Sequence, residues 1–150
     1  MWTDFAQENA LAMIHARQNM NDFRLIRNLD GSVFSPEDSV TLHRRFVKEL
    51  LAWLNEKPEG PCVVITHHAP VINPHTKYKS SPLQPAFNSL DMQEIIEAYQ
   101  PDFWFYGHTH ECDDQNIGRT RIISNQLGYY KGLSGYECLG FDPAGKPITL

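Results

Sequence analysis

The chain has few cysteines, no long apolar run and a deficit of positive charge, and each shortage removes a class of protein. Cys62, Cys112 and Cys138 are the three cysteines; an odd number without paired spacing excludes a disulfide framework and points to reduced thiols in a reducing compartment. No apolar stretch nears the roughly 20 residues needed to cross a bilayer, and Gln7, Glu8 and Asn9 interrupt the first segment before it can resemble a leader. A cytoplasmic protein is expected. Thirteen Lys and Arg stand against 18 Asp and Glu, a net charge of -5, and the basic residues are scattered. No nucleic-acid or anionic-membrane surface is therefore evident. Repeats and low-complexity tracts are also missing. What remains is one ordinary domain: 150 residues, of which 41% are hydrophobic, enough for a core of its own.

Residues 4–17, without Gly or Pro, read as a helix that Asp4 caps, and 20–34 as irregular chain or a short strand and turn, with an Asp-Gly turn signal. From Ser35 the signals sharpen. Ser35 is an N-cap, Pro36 takes the first helical position, and Val40, Phe46, Val47, Leu50, Leu51 and Leu54 recur at helical spacing. On that helix His43 falls on or near the polar side and reads as a solvated residue. "CVVIT" at 62–66 is a short β-branched run without alternation, as in a strand buried on both faces of a parallel sheet. A Pro-rich loop over 69–88 follows, then a helix that starts near Ser89 or Asp91 and ends before Pro101, and an aromatic strand that ends at Gly107. Further strands are expected at 119–124 and 136–142, with Glu111, Asp113 and Asp114 forming a solvated acidic turn and a tail after 142.

Strand, loop, helix and strand over 62–106 make a βαβ unit, whose two strands run parallel. Parallel neighbours end at one sheet edge, where open α/β sheets place their ligands. His67 lies two positions past Ile65, and His108 two past Tyr106, so both emerge at that edge. In extended chain His108 and His110 point to one face, with Gly107 allowing a turn. Three imidazoles converging there form a first-row metal site, since uncompensated rings would compete for hydrogen bonds. His68, next to His67, points elsewhere and reads as a supporting residue. Lys77 and Lys79 in the long loop are candidates to meet phosphate oxygens as point charges.

"VVITHHAP" at 63–70 and "FYGHTH" at 105–110, separated by a helix, resemble the last two metal-binding motifs of the calcineurin-like metallophosphoesterases. "WTDF", "MNDFRLI", "FSPEDSVTLHRR", "QPAFNS" and "RIISNQLGY" resemble other segments of bacterial members, so the likeness spans essentially the whole chain. It implies a two-sheet sandwich flanked by helices with two divalent or mixed-valence ions (Mn, Fe or Zn) at one edge. His67 and His108 would bind one ion and His110 the other, and a bridging hydroxide would attack the phosphorus of a phosphate ester in line.

The family's first three motifs, Asp-x-His, Gly-Asp-x-x-Asp and Gly-Asn-His-Asp/Glu, occur nowhere in the sequence. They carry the bridging aspartate, the asparagine ligand and the histidine taken as general acid, so no catalytic acid is identifiable here. Residues 1–150 are expected to form a single, partial domain, the C-terminal half of the sandwich. Without carboxylates to neutralise and bridge two cations, one metal or none is expected, with weak or absent phosphoesterase activity. An uncovered sheet face would meet the missing N-terminal half or a second copy. Two alternatives stay open: a non-catalytic half-domain that binds or self-associates, and a single structural zinc on His67, His108, His110 and Cys112.

Overall fold

The computed structural model describes residues 1–56, 59–145 and 148, so Lys57 and Pro58 of the expected breaker, and Lys146, Pro147, Thr149 and Leu150 of the expected tail, lie outside the described residues. Four strands form one mixed sheet in the order β1-β2-β4-β3: β1 (Val63–Ile65), β2 (Phe103–Phe105), β3 (Asp113–Ile117) and β4 (Thr120–Ser124). β1 and β2 are parallel, in the register Val63↔Phe103 to Ile65↔Phe105, as the βαβ reading requires. β4 runs parallel to β2, and β3 returns antiparallel along β4. Gly118, at φ +58°, makes the turn between them, and a Cβ there would collide with the Gln100 side chain at 2.1 Å.

Helix α4 (Pro36–Asn55) begins as its sequence dictates. The Ser35 hydroxyl accepts from Asp38 N at 3.1 Å, and the Asp38 carboxylate accepts from Ser35 N at 2.8 Å, a complete capping box. Leu50 and Leu54 of α4, with Met92 and Ile96 of α6 (Met92–Tyr99), cover the sheet face that presents Val64, Trp104 and Ile122. Trp104 is fully buried, and its indole N–H donates to Thr66 Oγ1 at 2.9 Å, so burial leaves no orphan donor. A second apolar cluster gathers Phe5, Ala12, Ala16, Met20, Phe23, Phe34, Val40 and Ala86 around α2 (Ala10–Asn19), α3 (Asp22–Leu25) and α5 (Gln84–Phe87). The other sheet face is partly open: Ile65 is 75% exposed, and Phe103 and Phe105 stack 6.1 Å apart, half-buried, while Ile123 opposite Phe105 is buried. Among the described residues no helix is long and apolar enough to cross a membrane.

Several sequence expectations are corrected. The helix expected over 4–17 is two elements. Phe5–Glu8 (α1) form a single turn in which all four residues have positive φ, capped by Asp4, and the right-handed helix starts at Ala10 with Asn9 as its cap. A left-handed turn costs L-residues roughly 1–2 kcal/mol each; the burial of Phe5 and the Glu8–Arg44 ion pair hold it in place. No regular strand forms at 136–142. Tyr136 makes one bridge to Tyr130, and after Cys138 the chain turns, Phe141 N donating back to Cys138 O. The acidic stretch is not a solvated turn. Asp113 is buried at the start of β3 and accepts from Tyr106 Oη at 2.7 Å; Glu111 is buried and accepts from Lys77 N; Asp114 pairs with Arg121.

His43 is the largest correction. It is 2% exposed, with Nδ1 at 2.9 Å from Trp2 O and Nε2 at 2.8 Å from Asp91 Oδ2. Its place in the series 40, 43, 47, 50, 54 is on the buried stripe, and two acceptors on one ring call for the doubly protonated imidazolium. Burial opposes that charge, but the hydrogen bond and charge of Asp91 outweigh it and raise the His43 pKa. Asp91 gives up capping α6 to make this contact. A raised pKa stabilises the fold below the ordinary value of 6.5, and the contribution is lost as pH rises through the folded-state value. The difference in unfolding free energy between wild type and His43→Gln is therefore expected to be largest below pH 6.5 and to shrink toward alkaline pH. A difference independent of pH, measured by urea unfolding across that range, would contradict the charged pair.

Candidate functional site

The parallel ladder does not stop where β1 and β2 end. Thr66 N donates to Phe105 O at 2.9 Å, and Gly107 N donates to His67 O at 3.0 Å, so the pairing carries both chains outward side by side. His67 and His108 therefore meet: His108 Nδ1 lies 3.1 Å from His67 Nε2. His68 sits beneath them, buried, its ring centroid 4.1 Å from that of His108 and its Nδ1 2.7 Å from Met1 O. Phe87 flanks His108 at 5.4 Å between centroids. A cavity of about 700 Å³ opens at this edge, bounded by Asn19–Asp22, Tyr78, Phe87 and Gln126–Tyr129 together with His67, His108 and His110.

His108 and His110 reach the cavity by a different route from the extended chain that alternation predicts. Both have positive φ, 69° and 52°, with Thr109 buried between them and its N–H on Gly107 O at 2.8 Å. Gly107 itself is not in the left-handed region; the strain sits on the histidines, a conformation few non-glycine residues adopt unless their surroundings enforce it. Gln126 is the enforcing side chain. Its Oε1 accepts from His110 N at 2.8 Å, while its amide nitrogen donates toward Thr109 Oγ1, Glu111 O and Ser124 Oγ, all within 3.0 Å.

Desolvation disfavours a positive charge on His67, His68 and His108. Burial, and then the neighbouring His67 ring, push the His108 pKa down to about 4. Burial likewise lowers His67 and puts His68 well below the ordinary range. His108 Nε2 and His68 Nε2 are buried without a hydrogen-bond partner, an expensive arrangement for polar atoms. Asp22, at the cavity wall, is the charge that favours protonation of His67 and His108, yet desolvation outweighs it.

His110 is held by Glu137, whose Oε2 lies 2.8 Å from Nδ1. The same carboxylate meets Lys77 Nζ at 3.2 Å and Lys131 Nζ at 3.5 Å. The His110 hydrogen bond, then Lys77, hold Glu137 at about pKa 2. Lys77 is thus engaged by a carboxylate, Lys79 is exposed, and neither lines the cavity. Cys112 does not turn toward the histidines; its Sγ lies 3.0 Å from Cys138 Sγ. Sequence spacing offers no sign of Glu137 or Asp22, which are distant from the histidine motifs.

The donor set fits one first-row ion better than two. Two nitrogens bound to the same ion at about 2.0–2.1 Å lie roughly 3.0–3.4 Å apart, and the His67–His108 separation of 3.1 Å falls inside that window. His110 is further off: among the described residues the group of three His, Cys, Asp or Glu whose ligand atoms all lie within 4.8 Å of one another is Asp4, His43 and Asp91. That group has its positive charge already, since both nitrogens of His43 are bonded to oxygen and the imidazolium occupies the cation's place.

A family model described as calcineurin-like phosphoesterase matches residues 6–112, which include all three histidines at the sheet edge. An uncharacterized protein of Acanthamoeba polyphaga mimivirus is similar at 26% identity over 142 residues, covering 86% of this chain. The chain spans about half (48%) of the length of that curated relative. No solved structure matches.

Gln126→Ala removes the acceptor and donors that hold residues 109–111, and its cost is expected at about 1–3 kcal/mol in urea unfolding, the penalty for buried groups left unpaired. A loss under about 0.5 kcal/mol, typical of surface changes, would show that the histidine loop holds its shape without it.

Proposed function

Because the chain belongs to the calcineurin-like phosphoesterase family, we propose that its histidine edge is the imidazole part of a metal-dependent phosphoesterase site. In this reading the chain by itself binds at most one divalent ion, Mn, Fe or Zn, and hydrolyses phosphate esters weakly or not at all. The observation that carries it is the pair His67 and His108, whose Nε2 and Nδ1 lie 3.1 Å apart at the cavity edge. The ion, when bound, would act as a Lewis acid on a phosphate oxygen.

The chain's own residues do the rest. His67 and His108 supply lone pairs, since desolvation disfavours their protonated forms and takes the His108 pKa down to about 4. Glu137 accepts a hydrogen bond from His110 Nδ1–H, which leaves the lone pair on Nε2; a carboxylate behind a histidine fixes its tautomer in this way. His68 props the His108 ring from below. Asp22 is the carboxylate on the cavity wall, and the nearby charges of Glu137 are spent on His110 and the lysines. A second cation would therefore lack both a bridging carboxylate and compensation for its charge.

A second reading concerns partners. Ile65, 75% exposed on a parallel edge strand beside the stacked Phe103 and Phe105, favours association of the open sheet face with further polypeptide or with a second copy. Self-association should appear in sedimentation velocity as a concentration-dependent species; a single monomer boundary at all concentrations rules the second copy out.

Metal analysis after dialysis against Mn, Fe or Zn should give a stoichiometry near one or below, lost in His108→Ala. Absence of metal in wild type at saturating concentrations would refute the site. Robust hydrolysis of an aryl phosphate, abolished by His108→Ala, would keep the site and overturn the expectation of a weak or inert chain.

A further inference from the structure

Residues 127–138 form a flap at the cavity rim. Cys138 N donates to Leu127 O at 3.2 Å, Glu137 N to Tyr129 O at 2.9 Å and Lys131 N to Gly135 O at 2.6 Å, so the returning arm lies along the outgoing one. Its outgoing arm contributes Leu127, Gly128 and Tyr129 to the cavity wall, and its returning arm carries Glu137 onto His110. At the root of the returning arm, Cys138 Sγ lies 3.0 Å from Cys112 Sγ, although 26 positions separate them in sequence. We propose that Cys112 and Cys138 form a reversible disulfide that fastens this flap to the segment following His110.

A disulfide needs its sulfurs at about 2.03–2.05 Å, roughly one ångström closer than they lie now. The backbone already brings the segments together: a Cβ on Gly140 would stand 3.4 Å from Cys112 Cβ. Both side chains are half-buried, so a small oxidant reaches them without unfolding. Cys62 lies apart, at the start of β1, where its carbonyl accepts from Asp102 N. The oxidant is a low-molecular-weight disulfide such as oxidised glutathione. One cysteine thiolate attacks it, expelling one glutathione thiolate and leaving a mixed disulfide. The second cysteine then attacks the protein sulfur, forming the internal S–S bond and expelling the other glutathione. Two protein thiols are oxidised and one glutathione disulfide is reduced to two thiols. The bond needs no metal; it holds Glu137, the neighbour of Cys138, against His110 and Lys77.

The folded full chain is incubated with oxidised glutathione, alkylated with iodoacetamide under denaturing conditions and weighed intact, followed by a non-reduced peptide map. The expected product has lost two of its three alkylations, keeps the one on Cys62, and yields a Cys112–Cys138 linked peptide that dithiothreitol reverses. Trypsin cleavage after Lys131 should be slower in the oxidised form. Cys62→Ser should close the same bond, whereas Cys138→Ser should stop at a glutathione adduct on Cys112. Three alkylations after oxidation, a bridge through Cys62, or adducts without an internal bond would each overturn the proposal. Should Cys138→Ser fail to fold, wild type and Cys62→Ser still decide it.

Discussion

The parallel pairing of β1 with β2 is the constraint on which the site depends. Its register, Ile65 opposite Phe105, continues through the Thr66 and Gly107 amides, so two chains far apart in sequence leave the sheet together. A slip of one residue would exchange the inner and outer faces and send Val64 and Trp104 away from the helices. The burial of Trp104, Val64 and Ile122 under α4 and α6 thus fixes the register, and the register places His67 beside His108. Packing on one face of the sheet determines chemistry at its end.

Two histidine groups show opposite solutions to one problem. His43 has acceptors on both nitrogens and a carboxylate partner, so the ring carries its charge inside the fold. His67, His68 and His108 crowd one another, with Asp22 the one carboxylate at the cavity wall among the described residues, and desolvation disfavours their charged forms. In the first group every ring nitrogen is satisfied. In the second, two ring nitrogens, His68 Nε2 and His108 Nε2, are buried and unpartnered. This contrast, more than the proximity of acidic groups, separates a structural ion pair from a candidate ligand set.

Much of this was legible in the residues, for physical reasons. Ser35, Pro36 and Asp38 encode a helix start through local hydrogen bonds, and the β-branched run at 63–65 followed by a helix and an aromatic strand encodes a parallel pair. From these, the meeting of His67 and His108 follows without further information. What escaped depends on contacts between distant residues. His43 read as polar because histidine is polar, although its position on the stripe from Val40 to Leu54 marked it as buried. The acids after His110 looked like a solvated turn because Tyr106, Lys77 and Arg121, which satisfy them, come from other elements. The left-handed backbone at His108 and His110 is imposed by Gln126, and Glu137 reaches His110 from a flap whose local sequence resembled a strand.

In the proposed site His67 and His108 would hold the ion. X-ray absorption at the edge of bound zinc or manganese is the decisive measurement, because imidazole rings give an outer-shell scattering pattern that carboxylates and water do not. At least two imidazole ligands are expected in wild type, with the signal lost in His108→Ala and unchanged in His43→Gln. A spectrum dominated by oxygen, or one that His43→Gln abolishes and His108→Ala leaves intact, would place the ion at Asp4 and Asp91 and contradict it.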